Sequence, residues 1–222
     1  MSKKVDWSLY LVTDPSYYSP QELPDVISRA IAGGVSVVQL RDKHATDEQF
    51  LQQARIIQQA RATVPLFVND RVQVARALGL HLHIGQSDMP YVQARQLLPP
   101  QQMIGLTIEN EQQWHRCLEE CAAAGVPLPD VIGLGPVRDT ATKPDAPAAC
   151  GVEGVARIAT LARRAGVASV AIGGVDKHNA GALAATDIDG ICVVSAIMGA
   201  DDPFAAAQDL RSSFQEKKSA HS

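Results

Sequence analysis

The stretch Val35-Ser36-Val37-Val38-Gln39-Leu40-Arg41-Asp42-Lys43 (35–43) decides the fold class. It opens as a short apolar run rich in β-branched residues, the pattern of a parallel strand buried on both faces. It closes on charge. Successive side chains of a strand point to opposite faces, so Gln39, Arg41 and Lys43 project to one side. Buried parallel strands whose ends carry polar, reactive groups are the hallmark of a (β/α)₈ barrel, where the chemistry sits at the C-terminal strand ends.

Seven further runs of this kind flank it: 8–13, 65–69, 81–84, 103–108, 131–135, 169–175 and 190–196. Between them lie segments with helical spacing, such as FLQQARIIQQARA, VEGVARIATLARRAG and FAAAQDLRSSFQ. Eight βα units in 222 residues fit a compact α/β TIM barrel of one domain, residues 1–222. An open, doubly wound sheet competes. It is disfavoured because no GxGxxG follows the first strand. The last segment, QEKKSAHS (215–222), reads as a frayed tail.

Bulk properties narrow the function. A net charge of −4 gives no reason to expect a nucleic-acid or membrane partner. No apolar stretch approaches the roughly 20 residues of a membrane span, and the first residues are not expected to be a secretory signal. A cytoplasmic location is the expectation. The cysteines, Cys117, Cys121, Cys150 and Cys192, contain no CxxC and read as reduced thiols.

The remaining strand ends supply more chemistry. After the third run comes Asn69-Asp70-Arg71, and after the fourth Gly85-Gln86-Ser87-Asp88. Asp70 and Asp88 on neighbouring strand ends suit Mg²⁺, which binds one or two carboxylates plus phosphate oxygens. The plain alternatives are a helix N-cap for Asp88, an Asp70–Arg71 pair, and a surface cluster of Arg41 and Lys43 with Asp42 and Asp47. Thr107 ends the fifth run. The loop after the sixth holds Thr140, Thr142 and Lys143, which could grip an anion or form a solvated turn. Gly173-Gly174 after the seventh and Val194-Ser195 after the eighth suit a phosphate cradle of backbone amides. His81 and His83 alternate on one strand, but no third ligand makes them a metal site.

Taken in order, LYLVTD, GGVSVVQLRDK, FVNDR, HIGQSDMP, GLGPV…TATK, AIGGV and VVSAI resemble the thiamin phosphate synthase family over roughly residues 8–212. The resemblance implies a transferase with a Mg²⁺ cofactor. It would join 4-amino-5-hydroxymethyl-2-methylpyrimidine diphosphate to a thiazole phosphate and release diphosphate. It assigns Gln39, Arg41, Lys43 and Asn69 to the pyrimidine diphosphate, and Asp70 and Asp88 to the metal. It assigns Thr140, Thr142, Gly173, Gly174, Val194 and Ser195 to the thiazole phosphate, and Lys143 to the diphosphate. Arg41, Lys43, Lys143 and Thr107 would be catalytic. Partners would be these small molecules, with no nucleic acid or membrane, and a homo-oligomer is left open.

Two departures stand out. Thr107 replaces the serine of the family's GxS, and GLHLHIGQ stands where the family shows GADGVHLGQ. Rival readings on the same fold are a thiazole tautomerase, a Schiff-base aldolase using Lys43 or Lys143, and a non-catalytic thiazole-phosphate sensor.

Overall fold

In the computed structural model, which describes residues 5–60, 64–139 and 148–220, the run around Gln39 forms strand β2 (Val37–Leu40). Its companions are β1 (Leu9–Val12), β3 (Leu66–Asn69), β4 (His81–Ile84), β5 (Ile104–Ile108), β6 (Val131–Leu134), β7 (Ala168–Ala171) and β8 (Gly190–Val193). All pair in parallel in chain order, and β8 pairs back onto β1. The sheet is the expected closed barrel. Helices α1 (Leu23–Ala32), α2 (Asp47–Ala60), α3 (Val72–Leu78), α4 (Tyr91–Leu97), α5 (Glu111–Ala124), α6 (Gly151–Arg164), α7 (Ala180–Ala184), α8 (Ser195–Met198) and α9 (Pro203–Ser219) alternate with the strands.

Continuous apolarity follows from a strand with two buried faces. Outward residues such as Leu11, Val38, Leu40, Val68, Leu82, Ile132 and Ile191 pack with the helices in one large cluster. Inward residues Tyr10, Val12, Val37, Phe67, Val131, Val170 and Cys192 form a second cluster with Trp7. The rings of Trp7, Tyr10 and Phe67, with centroids about 6 Å apart, plug the N-terminal end of the barrel. Along the inward face polarity rises toward the strand ends: Val37 to Gln39 to Arg41, Phe67 to Asn69, Gly105 to Thr107.

Three sequence readings are corrected. The apolar runs 169–175 and 190–196 overshoot their strands. β7 ends at Ala171, and Gly173 and Gly174 turn the chain through positive φ (86° and 69°). β8 ends at Val193, and Ser195 already begins α8. Residues 215–219, expected to fray, are the last turns of α9. That helix starts at Asp202, whose carboxylate accepts from the amides of Phe204 and Ala205, and it buries Phe214 against the barrel's outer shell. The shortened segment before HIGQ leaves β4 intact. α3 is closed by Gly79 (φ 64°), and Leu80 leads straight into β4, which keeps register with β3 and β5.

Candidate functional site

Every site residue expected from the sequence within the described residues lines one pocket of about 340 Å³ at the C-terminal ends of the strands. It takes Gln39, Arg41 and Lys43 from β2 and its loop, Asn69 and Asp70 from β3, and Asp88 from the loop after β4. Thr107 comes from β5, Gly173 and Gly174 follow β7, and Val194 and Ser195 follow β8. Thr140, Thr142 and Lys143 lie outside the described residues. Val12, Ile172 and Cys192 form an apolar floor.

The β2 alternation holds as read. Gln39 is buried, and its Nε2 donates to the Tyr10 hydroxyl at 3.1 Å. Two residues on, the amide of Arg41 donates to Thr13 Oγ1 at 3.0 Å, which fastens the strand end to β1. Lys43 Nζ stands 3.8 Å from Asp70 Oδ2. The surface-cluster alternative fails, because Asp42 Oδ1 instead accepts from the amides of His44 and Ala45.

Arg71 does not pair with Asp70. Its guanidinium is turned to Asp47, donates to the carbonyls of Ala45 (2.6 Å) and Asp42 (3.1 Å), and stacks 4.6 Å from the Phe50 ring centroid. It thereby clamps the loop that carries Lys43. Nor does Asp88 cap a helix. α4 starts only at Tyr91, after Pro90, and Asp88 Oδ2 accepts from the amide of Gly85 at 2.7 Å.

Asp70 and Asp88 stand near enough to shift each other's ionisation in opposite directions. Burial, then the hydrogen bond and charge of Asp88, push the Asp70 carboxyl up to about 7 against the pull of Lys43 and Arg41. Burial opposes charge on Asp88 as well. Hydrogen bonds from Asp70 and the Gly85 amide, with Lys43 nearby, outweigh it and hold Asp88 below the usual carboxylate range. Asp70 has φ 61°, the only positive φ of a non-glycine among the described residues. Left-handed backbone is uncommon outside glycine, though Asp and Asn tolerate it best. Among the described residues no three or more His, Cys, Asp or Glu side chains gather as a metal group. The pair suits an ion that completes its shell with phosphate and water oxygens.

On the far side of the pocket, the root of the β6–α6 loop is laced to the β7 turn. The amide of Val137 donates to the carbonyl of Gly173 at 2.9 Å. Arg138 Nε and Nη2 donate to the Gly174 carbonyl at 3.0 and 2.9 Å, and Nη2 also meets Asp176. A side chain at Gly173 would strike Pro136, and one at Gly174 would strike Arg138.

Sequence reasoning missed His83 and Glu109 in the pocket lining, and the clamp made by Arg71. His83 was weighed only as a metal partner of His81, whose Nδ1 in fact accepts from the amide of Met103. Burial lowers the His83 ring to about 4, so it is neutral near pH 7. Strand phase was the available signal, since His83 and Glu109 share the inward phase of Asn69 and Thr107.

The sequence model of the family "Thiamine monophosphate synthase" matches residues 9–197. A "Thiamine biosynthesis multifunctional protein ThiED" of Corynebacterium glutamicum is 56% identical over 95% of the chain, which spans only 28% of that relative's length. A "Thiamine-phosphate synthase" of Chloroflexus aurantiacus is 41% identical, with 93% of this chain and 92% of the relative covered. A solved thiamine phosphate pyrophosphorylase from Pyrococcus furiosus superposes with a TM-score of 0.80 at 29% identity. That match covers 96% of this chain and 98% of the other.

Proposed function

The chain belongs to the thiamine monophosphate synthase family, and on that premise we propose that it joins 4-amino-5-hydroxymethyl-2-methylpyrimidine diphosphate to a thiazole phosphate, forming thiamin phosphate and free diphosphate. The observation that carries the reading is a pocket with two unlike polar ends. Cations and paired carboxylates stand over β2 to β4, and the Gly173-Gly174 turn after β7 and Val194-Ser195 after β8 stand opposite.

The bond from the pyrimidine's exocyclic methylene to oxygen breaks, and its electron pair leaves with the diphosphate. The ring amino group shares the positive charge left on carbon. The thiazole nitrogen then attacks that carbon, forming the C–N bond. No protein nucleophile is needed. The chain's work is to neutralise the growing charge on the leaving group and to align two substrates.

Arg41 offers a planar fork and Lys43 a point charge to the diphosphate. Gln39 and Asn69 add neutral contacts. Asp70 and Asp88 would hold Mg²⁺, which supplies further neutralisation of phosphate charge when bound. The backbone at Gly173, Gly174, Val194 and Ser195 would receive the thiazole phosphate. Thr140, Thr142 and Lys143 keep the roles the resemblance gives them. The apolar floor of Val12, Ile172 and Cys192 sits beneath the rings.

The test mixes purified protein, both substrates and Mg²⁺, and follows thiamin phosphate and diphosphate together. Equal, Mg²⁺-dependent formation of both is expected. Tight binding of the thiazole phosphate with no product would move the assignment to a tautomerase or a sensor.

A further inference from the structure

His83 lines the pocket with no task in the reaction just described. Its Nε2 stands 3.1 Å from Thr107 Oγ1, while its Nδ1 is buried and has no hydrogen-bond partner. The barrel is hollowed to admit the ring. The neighbouring strand carries glycine where it lies: a Cβ on Gly105 would overlap Nδ1. Tyr10 meets the ring edge-on, with centroids 6.4 Å apart and planes at 85°.

The location of the protons decides what this ring does. A neutral imidazole carries its hydrogen on one nitrogen, and its cation on both. Either the cation or the Nδ1–H tautomer would seal a donor beside Gly105 with nothing to receive it. The Nε2–H tautomer leaves only a lone pair there, and a buried lone pair without a partner is the more tolerable state. Nε2–H then donates to Thr107 Oγ1. A hydroxyl has a single hydrogen, and an oxygen that accepts from His83 has that hydrogen to give elsewhere. Thr107 lines the pocket.

We propose that His83 is a positioning residue which, as the Nε2–H tautomer, fixes the Thr107 hydroxyl as a hydrogen-bond donor aimed into the pocket, toward an acceptor atom of the pyrimidine diphosphate. Only the naming of that acceptor rests on the synthase reading. The polarity of the His83–Thr107 pair rests on the geometry alone. The opposite polarity would make Thr107 an acceptor and would favour a different substrate edge.

Two measurements test this. The first needs no substrate. Long-range ¹⁵N–¹H spectra of the histidine side chains, with His83 assigned by its loss in His83→Gln, should show an Nε2–H tautomer at neutral pH. An Nδ1–H tautomer or an imidazolium overturns the proposal. The second is steady-state kinetics. His83→Leu and Thr107→Val should each lower kcat/KM for the pyrimidine diphosphate by roughly tenfold or more, as loss of an oriented hydrogen bond does. The double variant should lose no more than the worse single one. His83→Gln, whose amide N–H can replace Nε2–H, should stay within roughly threefold of the parent. A ring that merely fills space predicts the reverse, with Leu tolerated and the two losses independent, and that result sinks the proposal. Thermal denaturation of each variant separates misfolding from loss of the donor. If the parent shows no turnover, the synthase reading fails, and the tautomer spectrum alone decides the role of His83.

Discussion

The His83 ring stands in the room that a side chain on Gly105 would occupy. Gly105 has no positive φ to explain it, so the residue is glycine because of its neighbour. Gly105→Ala should therefore destabilise by about 1–3 kcal/mol, the usual cost of overfilling a packed interior. Thermal denaturation reads this directly. The cost should largely vanish when the same change is made in a His83→Ala background. An unchanged melting temperature in the single variant would mean that the ring can step aside.

The same ring makes stability depend on pH. Its folded value is about 4, against about 6.5 for an unperturbed histidine. The unfolded chain takes up a proton on this residue below 6.5, and the folded chain refuses it. The contribution is full above pH 6.5 and fades as pH falls through 4, by about 3 kcal/mol in all. Urea denaturation of the parent and His83→Gln across pH 4–8 should show the parent losing more stability on the acid side, by about that amount. Parallel curves would place the ring in a wetter setting.

Asp70 carries strain of a different kind. Burial and the facing Asp88 push its carboxyl up to about 7, against about 3.9 for an ordinary aspartate. The folded chain therefore pays for an ionised Asp70 above pH 7, and that cost fades between pH 7 and 4, where the folded state binds a proton the unfolded chain has shed. Asn keeps the left-handed backbone at φ 61° and carries no charge. Asp70→Asn should raise the melting temperature of the ligand-free protein by about 2–4 °C at pH 8, and by less at pH 5. It should also cut kcat/KM roughly a hundredfold and remove stabilisation by added Mg²⁺. A variant that is stabilised by Mg²⁺ and turns over normally would remove Asp70 from the metal role.

Arg71 and Lys43 separate placement from chemistry. Lys43→Ala should lower kcat/KM by roughly a hundredfold, since it removes a charge beside the leaving group. Arg71→Lys keeps the charge but loses the planar fork that holds the carbonyls of Asp42 and Ala45 and stacks on Phe50. It should raise KM for the pyrimidine diphosphate by roughly fivefold with a smaller change in kcat, because the loop bearing Lys43 is held less firmly. Initial-rate kinetics distinguish the two patterns. Equal losses in both variants would make Arg71 a direct ligand.

What the sequence made legible was what depends on a single strand. The period of two put Gln39, Arg41 and Lys43 on one face, and they share the pocket. Asn69, Asp70 and Thr107 followed from lying at or just beyond the ends of their runs. Apolarity misled where it outlasted the strand: Val194 to Ala196 continue β8 in composition but turn into α8 in space. The tail was polar enough to read as frayed, yet residues 215–219 continue α9, which buries Phe214 one residue earlier. Strand phase could have turned His83 inward, but not shown its setting, which is made by Gly105 on β5 and by Tyr10 on β1. Arg71 was hidden in the same way, since its partners lie on the loop after β2.

Closure of β1 onto β8 bears on how the molecule comes into being. Leu9 and Tyr10 lie beside Ile191 and Cys192, and the backbone of Trp7 fits against Gly190 so closely that no side chain could stand there. During synthesis the first strand must wait for the last. Until residues 190–193 leave the ribosome, β1 and β7 each present an open ladder of unpaired amides and carbonyls, the kind of edge that recruits other chains. Pairing between such distant segments is slow. Val194 and Ser195 after β8 join Arg41 and Lys43 after β2 in one pocket only at this final step, so the pocket itself is completed last.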